Sequence, residues 1–214
     1  DTDVSEADTD TDTDSDADTM GWIHPITVDG DPSDFTDDES FATTGGTTWI
    51  TWDADTLFVG IEHADVAAGG PEHWVQIYVG NGTGASSGVL YNSQEPGLSA
   101  PMSSLIRWKA DDSFSSLMTW SGSAWVDNPG VLGTGGSAVA EGTAVEFAVP
   151  FAMLGVTDTF NLHVNWLFEG AGFESTYSPT PGSSHADGYD PDYSLTYLFD
   201  RRSTDAPNSY SAVP

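Results

Sequence analysis

Cysteine is absent from the 214 residues, and bases nearly so: Arg107, Lys109, Arg201 and Arg202 are the whole cationic supply against 34 Asp and Glu, a formal net charge of −30 at pH 7. Without thiols there is no disulfide framework, no thiolate metal ligand and no cysteine nucleophile. So few bases cannot displace the counterions of a phosphate backbone, which excludes nucleic acid, and an anionic membrane surface is excluded on the same ground. Long apolar runs are missing as well, since no stretch approaches the roughly 20 residues that a membrane-spanning helix needs. What is present is aromatic. The 8 Trp, 10 Phe and 7 Tyr supply large apolar bodies, so a core can form although only 38% of the residues are hydrophobic.

The chain opens at Asp1 and its first methionine is Met20, from which we expect a processed, exported product, extracellular or on a cell surface. Self-repulsion at this charge opposes compaction unless cations or adjoining copies compensate it, which points to a saline or calcium-bearing exterior. Residues 1–19 hold nine acids, no base and almost no apolar surface, so by themselves they form a disordered tail. From Asp8 to Asp18 the acids alternate with Thr9, Thr11, Thr13, Ser15 and Ala17. An extended chain places those carboxylates on one face and the hydroxyls on the other.

From residue 20 onward, short apolar runs are cut by Gly, Ser, Thr and Pro, and none sustains a helical period over three turns. Strands with one buried face follow: Leu57, Val59 and Ile61; Val145, Phe147 and Val149; Leu162, Val164, Trp166 and Phe168, each alternating with other residues. Further strands are expected at 47–53, 73–79, 105–110, 115–120 (joined through Ser121-Gly122-Ser123 to 124–126) and 195–200, about ten in all. Pro150 and Gly155 bracket a single helical turn. Antiparallel strands with almost no helix to cover a parallel sheet most economically form two sheets face to face. The expected fold is thus an all-β antiparallel two-sheet sandwich over residues 20–214, preceded by the acidic tail.

Ile26-Thr27-Val28-Asp29-Gly30, Trp52-Asp53-Ala54-Asp55-Thr56-Leu57-Phe58-Val59, Trp74-Val75-Gln76-Ile77-Tyr78-Val79 and Val145-Glu146-Phe147-Ala148-Val149-Pro150-Phe151 occur in that order. This order resembles the family 9 carbohydrate-binding modules and the related DOMON-like β-sandwiches. The resemblance covers about residues 26–200 and implies a calcium-supported sandwich that, in sugar-binding members, clamps a saccharide between aromatic rings. Gly80-Asn81 departs from the pattern where such sequences often carry an acid.

Carboxylates are the most numerous candidate ligands. Asp29, Asp31 and Asp34, with Asp37, Asp38 and Glu39, crowd one loop; Asp187, Asp190 and Asp192 crowd another; Asp53 and Asp55, with Asp65, flank a hairpin. Hard oxygen donors on loops suit calcium, although neither acidic loop has an EF-hand register and such loops also serve as solvated turns. Among 34 acids some pair suited to glycoside hydrolysis always arises by chance, so the pairs carry no weight. His24, His63, His73, His163 and His185 lack metal-ligand spacing, and no Ser stands in a Gly-x-Ser-x-Gly elbow. No enzyme is expected.

Trp52, Trp74 and Trp166 lie in clean strand patterns and read as core, whereas Trp120, Trp125, Tyr177 and Tyr189 sit at strand ends or in Pro/Gly/Ser-rich loops and are the candidates for stacking on sugar. Asn81-Gly82-Thr83 is an N-glycosylation sequon, and Thr9, Thr11 and Thr13 are O-glycosylation candidates. Apolar Met20, Trp22 and Ile26 just after the tail, and Tyr210 and Val213 at the other end, could complete a sheet at home or in a neighbouring copy. Two functions follow. The layout and uncompensated charge favour a non-enzymatic structural protein that assembles into a homopolymer, filament or surface layer through its terminal segments. The resemblance favours a calcium-supported module that binds polysaccharide.

Overall fold

The computed structural model describes residues 21–90, 94–133, 135–182 and 192–214. Tail residues 1–19, with Thr9, Thr11 and Thr13, lie outside them, as do Met20, Asp187, Tyr189 and Asp190. In chain order the strands are β1 (Ser40–Thr43), β2 (Gly46–Trp52), β3 (Thr56–His63), β4 (His73–Gly80), β5 (Ala85–Ser87), β6 (Gly97–Met102), β7 (Ser104–Lys109) and β8 (Ser115–Trp120). They continue with β9 (Trp125–Pro129), β10 (Ser137–Glu141), β11 (Ala144–Pro150), β12 (Thr159–Gly170), β13 (Phe173–Thr180), β14 (Asp192–Tyr193), β15 (Thr196–Asp200) and β16 (Ala212–Val213). Two short helices, α1 (Ala64–Ala68) and α2 (Phe151–Leu154), stand beside a few 3₁₀ turns.

The fold is an all-β sandwich of two mostly antiparallel sheets. A five-stranded sheet runs β1-β2-β3-β11-β10, and an eight-stranded sheet runs β16-β15-β12-β4-β7-β8-β9 with β13 also on β12. Their inner faces meet in one apolar core: Ile50, Trp52, Val59, Val145 and Phe147 from the smaller sheet pack with Val75, Ile77, Ile106, Trp108, Val164 and Trp166 from the larger. These are the β-branched and aromatic residues that fit a pleated half-buried surface, and they recur at the two-residue spacing that puts them on one face. Turn chemistry closes the hairpins. Asp53 Oδ1 accepts from Asp55 N and Thr56 N between β2 and β3, and Gly122, at φ +95°, reverses the chain between β8 and β9. The helical turn expected after Pro150 is α2, stopped by Gly155 in the left-handed region.

Three expectations need correction. The strands number sixteen among the described residues, because short or polar ones such as β1, β5, β13 and β16 show no alternation. The central strands do not have one wet face: His163 and Asn165 on β12, Gln76 and Tyr78 on β4, and Arg107 on β7 are buried too. A third, three-stranded sheet, β14-β6-β5, accounts for part of this. From it Met102 and Tyr193 pack with Trp74, Tyr78, Leu105, Met118 and Leu167 on the outer face of the large sheet as a second apolar cluster. Similarly Ile26 and Phe35 pack on Phe58, behind the smaller sheet.

Third, Tyr177 is not in a loop. It lies within β13, its ring against Trp166 and His63, and its hydroxyl donates to Asp65. Burial, and then the Asp65 carboxylate, push its pKa far up, so it stays a donor.

Candidate functional site

Strands β8 and β9 pair directly, Trp120 opposite Trp125. Side chains opposite one another in an antiparallel pair share a face, and these two indoles meet at 5.8 Å between ring centroids, edge to face at 63°. Met118 lies two residues before Trp120 and belongs to the outer cluster, so the indoles stand on that outer face, at the edge hairpin. Beside them β5 and the following loop form the opposite wall of a cleft of about 500 Å³. Its lining brings Trp120 and Trp125 together with Ser86, Ser87, Glu95 and Ser123. The lining mixes the two indoles and Met118 with serines and one carboxylate.

The cleft is held from below. Trp125 Nε1 donates to Ser87 O at 2.9 Å, fixing one indole against β5. Tyr78, buried under the loop, donates its hydroxyl to Val89 O at 2.6 Å and accepts from Val89 N at 3.2 Å. Burial drives its pKa well up, so the phenol keeps the proton that the first bond needs. Gly88 is required at that point, because a Cβ there would stand 2.7 Å from the Tyr78 hydroxyl. Below the cleft a polar row crosses the large sheet, Asn165 opposite Gln76, Gln76 opposite Arg107 and Arg107 opposite Ser116. Asn165 Nδ2 donates to Gln76 Oε1, Arg107 Nε donates to Ser116 Oγ, both at 3.2 Å, and the Arg107 guanidinium pairs with Asp127 at 2.7 Å.

The remaining candidates lie apart from the cleft. Asp29 Oδ1 accepts from Asp31 N, Asp31 Oδ1 from Ser33 N and Asp34 Oδ2 from Thr27 N, so each carboxylate closes a local turn. Asp53 closes its hairpin in the same way, and Asp55 stands beside it. Among the described residues no group of three or more His, Asp or Glu is arranged to hold a metal ion. Asp192 lies on β14, exposed, and lines a second depression. Asn81 Nδ2 donates to Gly155 O while its Oδ1 accepts from both Thr83 N and Thr83 Oγ1, so the sequon closes a turn beside α2.

The terminal candidates are engaged within their own domain. Trp22 N donates to Ser203 O and its Nε1 to Thr51 Oγ1; Ile26 is buried. Tyr210 packs edge to face on Phe199, and Val213 pairs with Thr196 as β16 extends the large sheet.

One further cluster has the composition of a hydrolase triad. Ser178, at φ +48°, lies 3.2 Å from His63 Nε2, and His63 Nδ1 is 3.4 Å from Asp65 Oδ2. The Ser178 hydroxyl donates to Thr44 O at 2.6 Å rather than to the imidazole, and His63 Nδ1 accepts from Asp65 N, so the cluster caps α1.

Sequence reasoning found the two tryptophans of the cleft but missed Ser86, Ser87, Glu95 and the pin at Tyr78. The signal available was the Gly- and Ser-rich stretch 84–88 between two strands. No family model, curated protein or solved structure matches the chain, and the likeness to family 9 carbohydrate-binding modules rests on its sequence motifs alone.

Proposed function

We propose that the protein is a non-catalytic glycan-binding module whose site is the cleft between the β8–β9 hairpin and β5. The observation that carries this reading is the cross-strand pair Trp120 and Trp125, set into a cleft of about 500 Å³ with serine hydroxyls and a carboxylate at its rim. A pyranose offers an apolar C–H face to an indole and equatorial hydroxyls to polar groups around it, and this lining supplies both kinds of partner. Trp120 is the main stacking surface, because Trp125 is already tied to Ser87 through its indole nitrogen.

Among the two readings drawn from the sequence this one now ranks first. Of the terminal segments proposed for assembly, Trp22, Ile26, Tyr210 and Val213 have partners in their own domain, while Met20 and the acidic tail 1–19 lie outside the described residues. Affinity electrophoresis against a panel of soluble polysaccharides tests the proposal. We expect retardation by at least one of them, with at least about a tenfold loss of affinity in Trp120→Ala. A panel without any binder, or retention that Trp120→Ala leaves unchanged, overturns it.

A further inference from the structure

We infer, resting on the glycan reading above, that this cleft seats a single ring of a soluble chain in the angle between Trp120 and Trp125. The flat face of a crystalline polysaccharide is not its ligand. The ground for this is the way the two indoles stand to each other. Paired aromatic side chains can also hold sugar as a slot between parallel rings or as a coplanar platform under successive rings, and each of those makes a geometric demand.

A slot must admit a pyranose between its walls. Carbon atoms in contact lie about 3.5–4 Å apart, so two stacked contacts, one on each face of the sugar, set the aromatic planes roughly 7–8 Å apart and near parallel. Trp120 and Trp125 have centroids 5.8 Å apart and planes inclined at 63°. The rings are packed on each other, and no sugar passes between them. A platform requires coplanar rings, so that neighbouring sugars of one straight chain each meet a face. Planes inclined at 63° form a corner instead.

The corner is fixed on one side. Trp125 donates through Nε1 to Ser87 O at 2.9 Å, and its ring lies 6.3 Å from that of Tyr78, edge to face at 76°. Tyr78 is fully buried and bonded to Val89. Turning Trp125 level with Trp120 would cost both the bond to Ser87 and the seat on Tyr78. Among the described residues that line the cleft no third aromatic side chain extends a platform. Across from the corner stand Ser86, Ser87 and Gly88, small enough to leave room for a ring and polar enough to bond its hydroxyls. A ring on a flexible chain can enter this angle and stack on one indole while it meets the edge of the other. A face of packed chains is flat and stops at the rim, above two half-buried tryptophans.

Titration calorimetry and sedimentation on the intact protein distinguish this from the parent reading. The calorimetric probes are oligomers of two, four and six residues cut from each soluble polysaccharide that retards the protein. We expect affinity per sugar residue to stay within about threefold across the series, and Trp120→Ala to weaken every length by a similar factor of about ten or more. Mixed with microcrystalline cellulose or crystalline chitin, the protein should stay in the supernatant. A rise of about tenfold or more per residue between two and six residues overturns the single-ring seat and leaves the glycan reading standing. Cosedimentation with either crystalline polysaccharide that Trp120→Ala abolishes does the same. If no polysaccharide retards the protein, the glycan reading falls and takes this inference with it.

Discussion

The two faces of the eight-stranded sheet are built from the same strands and differ in almost everything else. On its inner face Val75, Ile77, Ile106, Trp108, Val164 and Trp166 close against the smaller sheet, and at the β13 side the buried Thr48 and Thr180 hydroxyls meet at 3.0 Å. On its outer face Asn165 bonds Gln76 and Arg107 bonds Ser116 across neighbouring strands, apolar residues gather around Tyr78, and the edge hairpin leaves Trp120 and Trp125 only half-buried. Burial of apolar area is non-directional and stabilises whatever is packed. Hydrogen-bonded rows are directional and fix where a loop lies. The inner face therefore holds the fold together, and the outer face positions a cleft.

The largest expected effect is on the inner face. Trp166 is 1% exposed, and Trp166→Ala should cost about 4 kcal/mol in urea unfolding. Next comes Tyr78→Phe on the outer face, which removes the hydroxyl bonded to both polar groups of Val89 and should cost about 1–2 kcal/mol while weakening ligand binding. Trp120→Ala should cost less than about 1 kcal/mol, because the ring is only half-buried, yet it should abolish most glycan affinity. Should Trp120→Ala destabilise as much as Trp166→Ala, the division of labour between the faces fails.

A smaller effect lies in pH. His63 stacks on Trp166 at 4.7 Å, and burial holds its pKa below the ordinary 6.5. The folded state thus favours neutral His63, so this contribution to stability is present above pH 6.5 and is lost as pH falls through the folded pKa. Glu146 works oppositely. Burial raises its pKa above 4.5 against two bonds from Asp29 N and Gly30 N, so stability falls as pH rises through the window just above 4.5. Thermal melts between pH 5 and 7 should show a shallower acid-side loss in His63→Gln than in the parent; an unchanged slope removes His63 from the account.

Much of the sandwich was legible because the strands that build its inner core keep strict two-residue alternation, as in Val145, Phe147 and Val149. Trp120 and Trp125 were each legible as candidates beside the Ser121-Gly122-Ser123 turn, but that turn is flanked by Trp120 and Ala124, and only the strand pairing sets Trp120 opposite Trp125. Tyr177 was misplaced because Phe173–Thr180 carries Ser, Thr, Glu and Pro among its apolar residues, and only pairing with β12 makes it a strand. His163 and Asn165 read as wet because nothing in β12 itself reveals what packs beyond it.

Composition alone excluded thiol chemistry and set the expectation against polyanionic partners, and periodicity alone set the fold class, since both depend on residue types and short spacings along one chain. The third sheet, the burial of the polar row and the cleft itself depended on tertiary structure. They arise where β14, far along the chain from β5 and β6, joins them over the outer face of the large sheet, and no local pattern encodes contacts between segments that far apart.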